Sequence, residues 1–300
     1  MTIILGLAAA IFWGSADFLA RYSTRIIGTY RTLFFMQFFG LTILSIYLAF
    51  SGDFGRLSQA IFWQAWVWAF IAALLNVVSS LALYRAFEVG ILTIVSPIAA
   101  SSAALSVVFA LMSGETISTA HGIGIITALF GVALAATAFS SRQEARDAKV
   151  VENEGVTQHK GILPRGVAWA LAASVGYSVI FWILGFRVTP VLGGIAPVWL
   201  IRLTTLTTLT LLVVPLKQNV QVPRGRVWWF IAGAGLLDTA AYVSFTVGLT
   251  AGQVAIIGVI ASLFSAVTVL LAWIFIREKL QWSQWLGVGI IFVAIVLVNV

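Results

Sequence analysis

The chain is 300 residues long, 61% hydrophobic and only 9% charged, with 12 tryptophans and a formal net charge of +7. Soluble domains run near a quarter charged, so this composition excludes an ordinary soluble domain and points to a membrane protein. The basic excess is scattered over short loops, which reads as membrane topology and not as a nucleic-acid surface, and the absence of cysteine excludes disulfides and thiolate metal sites.

The apolar runs are about 20 residues long and do not alternate, so they predict helical spans and not a transmembrane barrel. The first, residues 2–20, lacks the basic leader of a signal peptide and is expected to be a retained span. It carries Trp13 and Asp17 one turn apart, then Arg21. Asp17 either faces the interior or forms an i, i+4 pair with Arg21. A second span covers 32–50. The third, 63–87, places Asn76, Ser80 and Tyr84 at i, i+4 and i+8 on one face, and ends in Arg85, a snorkelling residue with Glu88 as its natural partner. The fourth, 91–112, is rich in small hydroxyls (Ser96, Ser101, Ser102, Ser106) and contains Pro97, which frees a carbonyl and marks a hinge. The fifth covers 122–139.

Residues 140–165 hold nine of the 27 charged residues and no long apolar run, as a solvated linker should. Five more spans come after it, at 166–186, 197–216, 227–249, 253–276 and 284–300. Arg202 lies five residues into the seventh span, where it can snorkel outward, pair with an acid or hold a substrate carboxylate. The eighth carries Asp238 at its middle with Tyr242 and Thr246 at i+4 and i+8; the ninth carries Ser262, Ser265 and Thr268.

The two sets echo each other. A shift of 163 places Glu115 on Glu278, Gly124 on Gly287, Ser102 on Ser265 and Ala103 on Ala266; a shift of 162 superimposes the Asn76 and Asp238 stripes. An odd number of spans per repeat forces the halves into opposite orientations, the build of many secondary transporters, whose site lies near mid-bilayer between the halves. The expected fold is therefore an all-α membrane protein of ten transmembrane helices in two inverted five-helix repeats, 1–139 and 166–300. Loop charge divides unevenly: fourteen Lys and Arg fall on the side holding the linker, and Arg56 and Arg187 on the other. This places the termini outside the cytoplasm.

A charge at mid-span costs roughly 2.5–3.5 kcal/mol on insertion scales, so Asp238 needs a reason. A bridging hydrogen bond that merely holds helices together is the plainer explanation for Asn76 and the serines. Asp238, and after it Asp17, is a candidate for a cationic substrate group or a coupling proton. There is no GxxxxGK[ST] phosphate loop; His121 and His159 have no metal-ligand companions, and no nucleophile-and-base constellation is visible. No cofactor, metal site or catalytic group is expected.

With these residues laid out, the chain resembles the drug/metabolite transporter superfamily, in its EamA-type group of two-repeat permeases, over essentially its whole length. FWGSADFLARYSTR (12–25) is similar to that group's first-span WG motif, and Arg31 and Arg202 match the Arg often found opening spans 2 and 7. ALYRAFEVGILTIVSPI (82–98) resembles its span 3–4 junction, and ASLFSAVTVLLAWIFIREKLQWSQWLG (261–287) its span 9–10 hairpin, with Glu278 in place of the motif Glu. Where the group commonly has a proline in spans 4 and 9, this chain has Ser102 and Ser265, which removes the residue that would bend them. The second half has Val175-Gly176 in place of the WG pair. The resemblance also implies cytoplasmic termini, opposite to the loop charges.

Composition and the depth of the polar groups imply a transport path. The resemblance implies a plasma (inner) membrane, multi-pass transporter that exports small metabolites such as amino acids by alternating access, with proton coupling as an option. Its partners are a small-molecule substrate and the lipid bilayer; no nucleic acid is expected, and a homo-oligomer is left open. The cavity should be lined by spans 1, 3, 4, 6, 8 and 9, with Trp13, Tyr84, Tyr177 and Tyr242 as aromatic walls. Asn76, Ser80, Ser102 and Ser265 should supply hydrogen bonds, and Asp17, Arg202 and Asp238 the charges. The competing expectation is an intramembrane enzyme acting on a lipid or lipid-linked substrate, with Asp17 and Arg21 as its reactive cluster.

Overall fold

In the computed structural model, residues 1–51, 63–136, 165–251, 254–276 and 282–298 are described, and every regular element among them is helical. In chain order these are α1 (Thr2–Ile27), α2 (Thr29–Ser51), α3 (Trp63–Val89), α4 (Leu92–Ala100), α5 (Ser102–Met112) and α6 (Thr119–Ala136), then α7 (Val167–Ile183), the four-residue α8 (Thr189–Leu192), α9 (Ala196–Leu212), α10 (Arg226–Ala251), α11 (Val254–Ala261), α12 (Phe264–Leu271) and α13 (Trp282–Val298). Single π turns extend α7 and α12, at Leu184–Val188 and Ala272–Ile276. Among the described residues seven helical segments are long and apolar enough to cross a membrane. The linker expected at 140–165 lies outside the described residues except for Arg165, as does Glu278.

The packing is inside-out in size. In the first half of α3 the buried positions are mostly small, Ala65, Ala69, Ala72 and Ala73, while Val67, Phe70, Leu74 and Val78 point outward; large side chains such as Tyr84 and Phe87 are buried only towards its end. In water the outer face would aggregate; in lipid it is the solvent-matched surface, and small residues at the seams let backbones approach. Gly235 on α10 shows how close: a Cβ there would lie 2.6 Å from the Met36 carbonyl oxygen of α2.

Helix neighbours come in matched pairs. α1 lies along α10 as α7 lies along α3; α2 meets α10 as α9 meets α3; α1 runs beside α11 and α12 as α7 runs beside α4 and α5. Two contacts join equivalent helices directly, α2 with α9 and α6 with α13. The helix ends match too. Arg25, closing α1, donates to the Gly90 carbonyl beyond α3 at 2.8 Å, and Gly166, opening α7, packs on the backbone of Ala86 and Gly90. Glu115, just after α5, accepts hydrogen bonds from the Val254 and Ala255 amides that open α11, at 3.2 and 3.0 Å.

Two of the expected continuous spans are broken. The fourth divides at Ser101 into α4 and α5, and the ninth at Ser262–Leu263 into α11 and α12. The serines standing where a bending proline is common do not straighten these spans. At each break the backbone tightens to i→i−3 bonds, and a serine at the break itself donates its hydroxyl back to the preceding turn: Ser101 Oγ to Ile98 O at 2.6 Å and Ser262 Oγ to Val259 O at 2.7 Å. Pro97, one turn before the first break, cannot donate to the ladder.

Candidate functional site

α1 and α10 run side by side and bring Trp13, Asp17, Asp238 and Tyr242 to one place. Around it stand Leu83 and Tyr84 of α3, Ala99 of α4, Ser102 of α5, Tyr177 and Phe181 of α7 and Phe264 of α12. These eleven residues line a small, partly open cavity of about 40 Å³, room for a few waters, so a metabolite fits only if the wall moves apart. The wall draws on both halves and on the six spans expected to line it.

Trp13 is the hub. Its ring packs on Phe181, Tyr242, Phe245 and Phe264 at centroid distances of 5.7, 5.2, 5.5 and 6.3 Å, and its indole N–H donates to Asp238 Oδ1 at 3.0 Å. The other carboxylate oxygen of Asp238 meets Arg202 Nη1 at 2.7 Å. Arg202 is 1% exposed and sits behind the wall, its guanidinium 5.0 Å over the Tyr242 ring, with Nη1 also donating to Gln37 Oε1 at 3.0 Å. Gly40 of α2 leaves room here: a Cβ would overlap Thr239 Oγ1 of α10 and press on Arg202 Cδ and Nε at 3.2 Å. Of the three roles open to Arg202, the geometry is that of an acid's partner.

The two polar stripes that superimpose in sequence touch in space. Tyr242 Oη donates to Asn76 Oδ1 at 2.8 Å, and Asn76 Nδ2 donates to Thr205 Oγ1 at 3.3 Å. Ser80 bonds the Tyr177 hydroxyl at 2.9 Å. Asn76, Ser80 and Arg202 therefore hold wall residues from behind. Thr246 turns away and donates to Gly194 O at 2.6 Å. Ser265 is 1% exposed with an unpartnered hydroxyl and does not reach the wall, because it falls on the far side of the turn that Phe264 opens.

Asp17 differs from Asp238. It is 5% exposed and lines the cavity, yet among the described residues it forms no hydrogen bond or ion pair, and the i, i+4 pair with Arg21 is not made. Arg85 does take its expected partner, with Nη1 2.8 Å from Glu88 Oε1. The Glu88 Oε2 atom caps α2 through Thr29, accepting from its amide at 3.0 Å and its hydroxyl at 2.6 Å.

Sequence reasoning missed Gln37, Thr205, Phe181 and Phe264. Gln37 carried a signal, a mid-span amide one turn before Gly40; the phenylalanines, among 21 in the chain, carried none.

This arrangement of helices and cavity has a family. The model of the EamA-like transporter family matches residues 1–137 and again residues 164–300. The chain belongs to the EamA-like transporter family. It is a multi-pass membrane protein built from two copies of that family's unit, within the drug/metabolite transporter superfamily. It is also similar to a solved structure described only as a crystal structure of a protein, at 19% identity and a TM-score of 0.70, covering 99% of this chain and 95% of the other. At that identity the likeness shows the fold alone. No functionally curated protein matches the chain.

Proposed function

We propose that this EamA-like protein is a secondary transporter that carries small amphipathic metabolites through the cavity between its two repeats by alternating access. The observation that carries the reading is the cavity itself: buried Asp17 and Asp238 face a partly open, largely aromatic space lined by helices of both repeats. Charges at this depth are costly and mark substrate or ion paths in membrane proteins. The transport chemistry is non-covalent. Aromatic faces bind the apolar body, the carboxylates set the charge, and the broken helices let one side of the wall open while the other stays shut.

The proposal includes ten spans in two inverted repeats, 1–139 and 166–300, joined by the 140–165 linker. Supporting the inversion, Glu115 at the end of the fourth span meets the start of the ninth, where parallel repeats would bring two ends together. The plasma (inner) membrane is the proposed location and export the proposed direction, with amino acids and related compounds the class that the resemblance implies. The test is comparative metabolite profiling of cells with and without the protein, then flux into proteoliposomes of whatever accumulates. Saturable flux supports transport; a new covalent product with no flux supports the intramembrane enzyme.

A further inference from the structure

The charge on the cavity wall is not balanced. Two carboxylates face it, and among its eleven lining residues there is no Lys, Arg or His. Asp238 is already neutralised from behind by Arg202 at 2.7 Å and holds the Trp13 N–H with its second oxygen. Asp17 has neither kind of partner among the described residues, although it is 5% exposed. One carboxylate without a partner therefore looks into a largely aromatic space inside the helix bundle, and a cation seated beside it would hold it ionised, because attraction there is stronger than in bulk water. Six of the eleven lining residues are aromatic: Trp13, Tyr84, Tyr177, Phe181, Tyr242 and Phe264. Ring faces attract cations, and a cage of them is the usual receptor for an alkylated ammonium.

We propose that the cavity selects an organic monocation without a carboxylate, an amine or quaternary ammonium bearing a flat apolar part, with Asp17 as its counter-ion. The inference rests on the transport reading above but replaces its amino-acid class with a cation. An amino acid would bring a carboxylate for which the wall offers no cation, since the Arg202 guanidinium lies outside the wall and is held by Asp238 and Gln37. An anion would add a further negative charge beside Asp17. Asp238 then acts as a positioning residue: with Arg202 it fixes Trp13 and Tyr242 so that their rings face the cation.

The test uses the purified full chain titrated calorimetrically in detergent with benzyltrimethylammonium, phenylalanine and 3-phenylpropionate. The expected result is saturable binding of benzyltrimethylammonium, at least tenfold weaker in the near-isosteric Asp17→Asn and retained in Asp17→Glu, which keeps the charge. Phenylalanine should bind at least tenfold more weakly than the ammonium compound, and 3-phenylpropionate not at all. Equal or tighter binding of either carboxylate, binding unmoved by Asp17→Asn, or no saturable binding of the ammonium compound would overturn the proposal. Flux of the same three compounds into proteoliposomes separates the two ideas. Ammonium binding without flux would keep the cation site and contradict transport, whereas flux of 3-phenylpropionate would keep transport and overturn the charge selection.

Discussion

Arg202 heads the largest fully buried side chains among the described residues, and its placement decides what Asp238 can do. The enclosed guanidinium is held through Nη1 by Asp238 and Gln37 and lies over the Tyr242 ring, while Nε and Nη2 have no hydrogen-bond partner among the described residues. Removing one member of a buried pair strands the other, which costs about 3–5 kcal/mol, while removing both costs far less. Arg202→Met should therefore lower stability in detergent by about 3–5 kcal/mol, and adding Asp238→Asn should recover most of it. Equal unfolding midpoints for the single and double variants would contradict the coupling. Both residues were legible in the sequence, because a charge deep in an apolar span stands out. Their pairing was not, because they lie on different spans and nothing in the spacing links them. The sequence left Asp17 between two readings, facing the interior or pairing with Arg21. Its spacing to Arg21 offered a ready pair that the helix does not make, so the acid that looked half spent is the unpartnered one.

At the scale of elements, the breaks at Ser101 and Ser262 and the cap at Glu115 are the parts that can move. Ser102 and Ser265 stand where proline is common, yet both spans break beside them, and the neighbouring Ser101 and Ser262 hydroxyls bond back to the preceding turn. Glu115 joins the halves by accepting from two amides at the start of α11. Glu115→Ala should cost about 1 kcal/mol, the usual worth of a helix N-terminal cap, measured by denaturation in detergent. Burial pushes the Glu115 carboxyl above the ordinary carboxylate range, and its two amide bonds pull it back by less. A raised folded value makes a stabilising contribution that is present below the ordinary range and is lost as pH rises through the raised value. The wild-type melting temperature should fall across that window, and Glu115→Gln should flatten the step; a step of equal size in the Gln variant would contradict the assignment. The Glu115 and Glu278 match revealed the repeat in the sequence, but its role at a helix start needed the fold.

At the scale of the molecule, the two-fold pattern of neighbours was legible because each half repeats one order of spans. Hydropathy marked the apolar runs, seven of which are helices long and apolar enough to cross a membrane among the described residues, and the paired stripes of Asn76 and Asp238 meet beside the cavity. Composition could not supply the cavity wall, since Phe181 and Phe264 differ in no local way from phenylalanines that face lipid. The central claim is that this wall opens to each side of the membrane in turn. The chain contains no cysteine, so Leu83→Cys places a single thiol in the wall. Labelling it with a membrane-impermeant maleimide, in right-side-out and in inverted vesicles, tests the claim most directly. Alternating access predicts modification from both sides; modification from one side alone, or from neither, would contradict it.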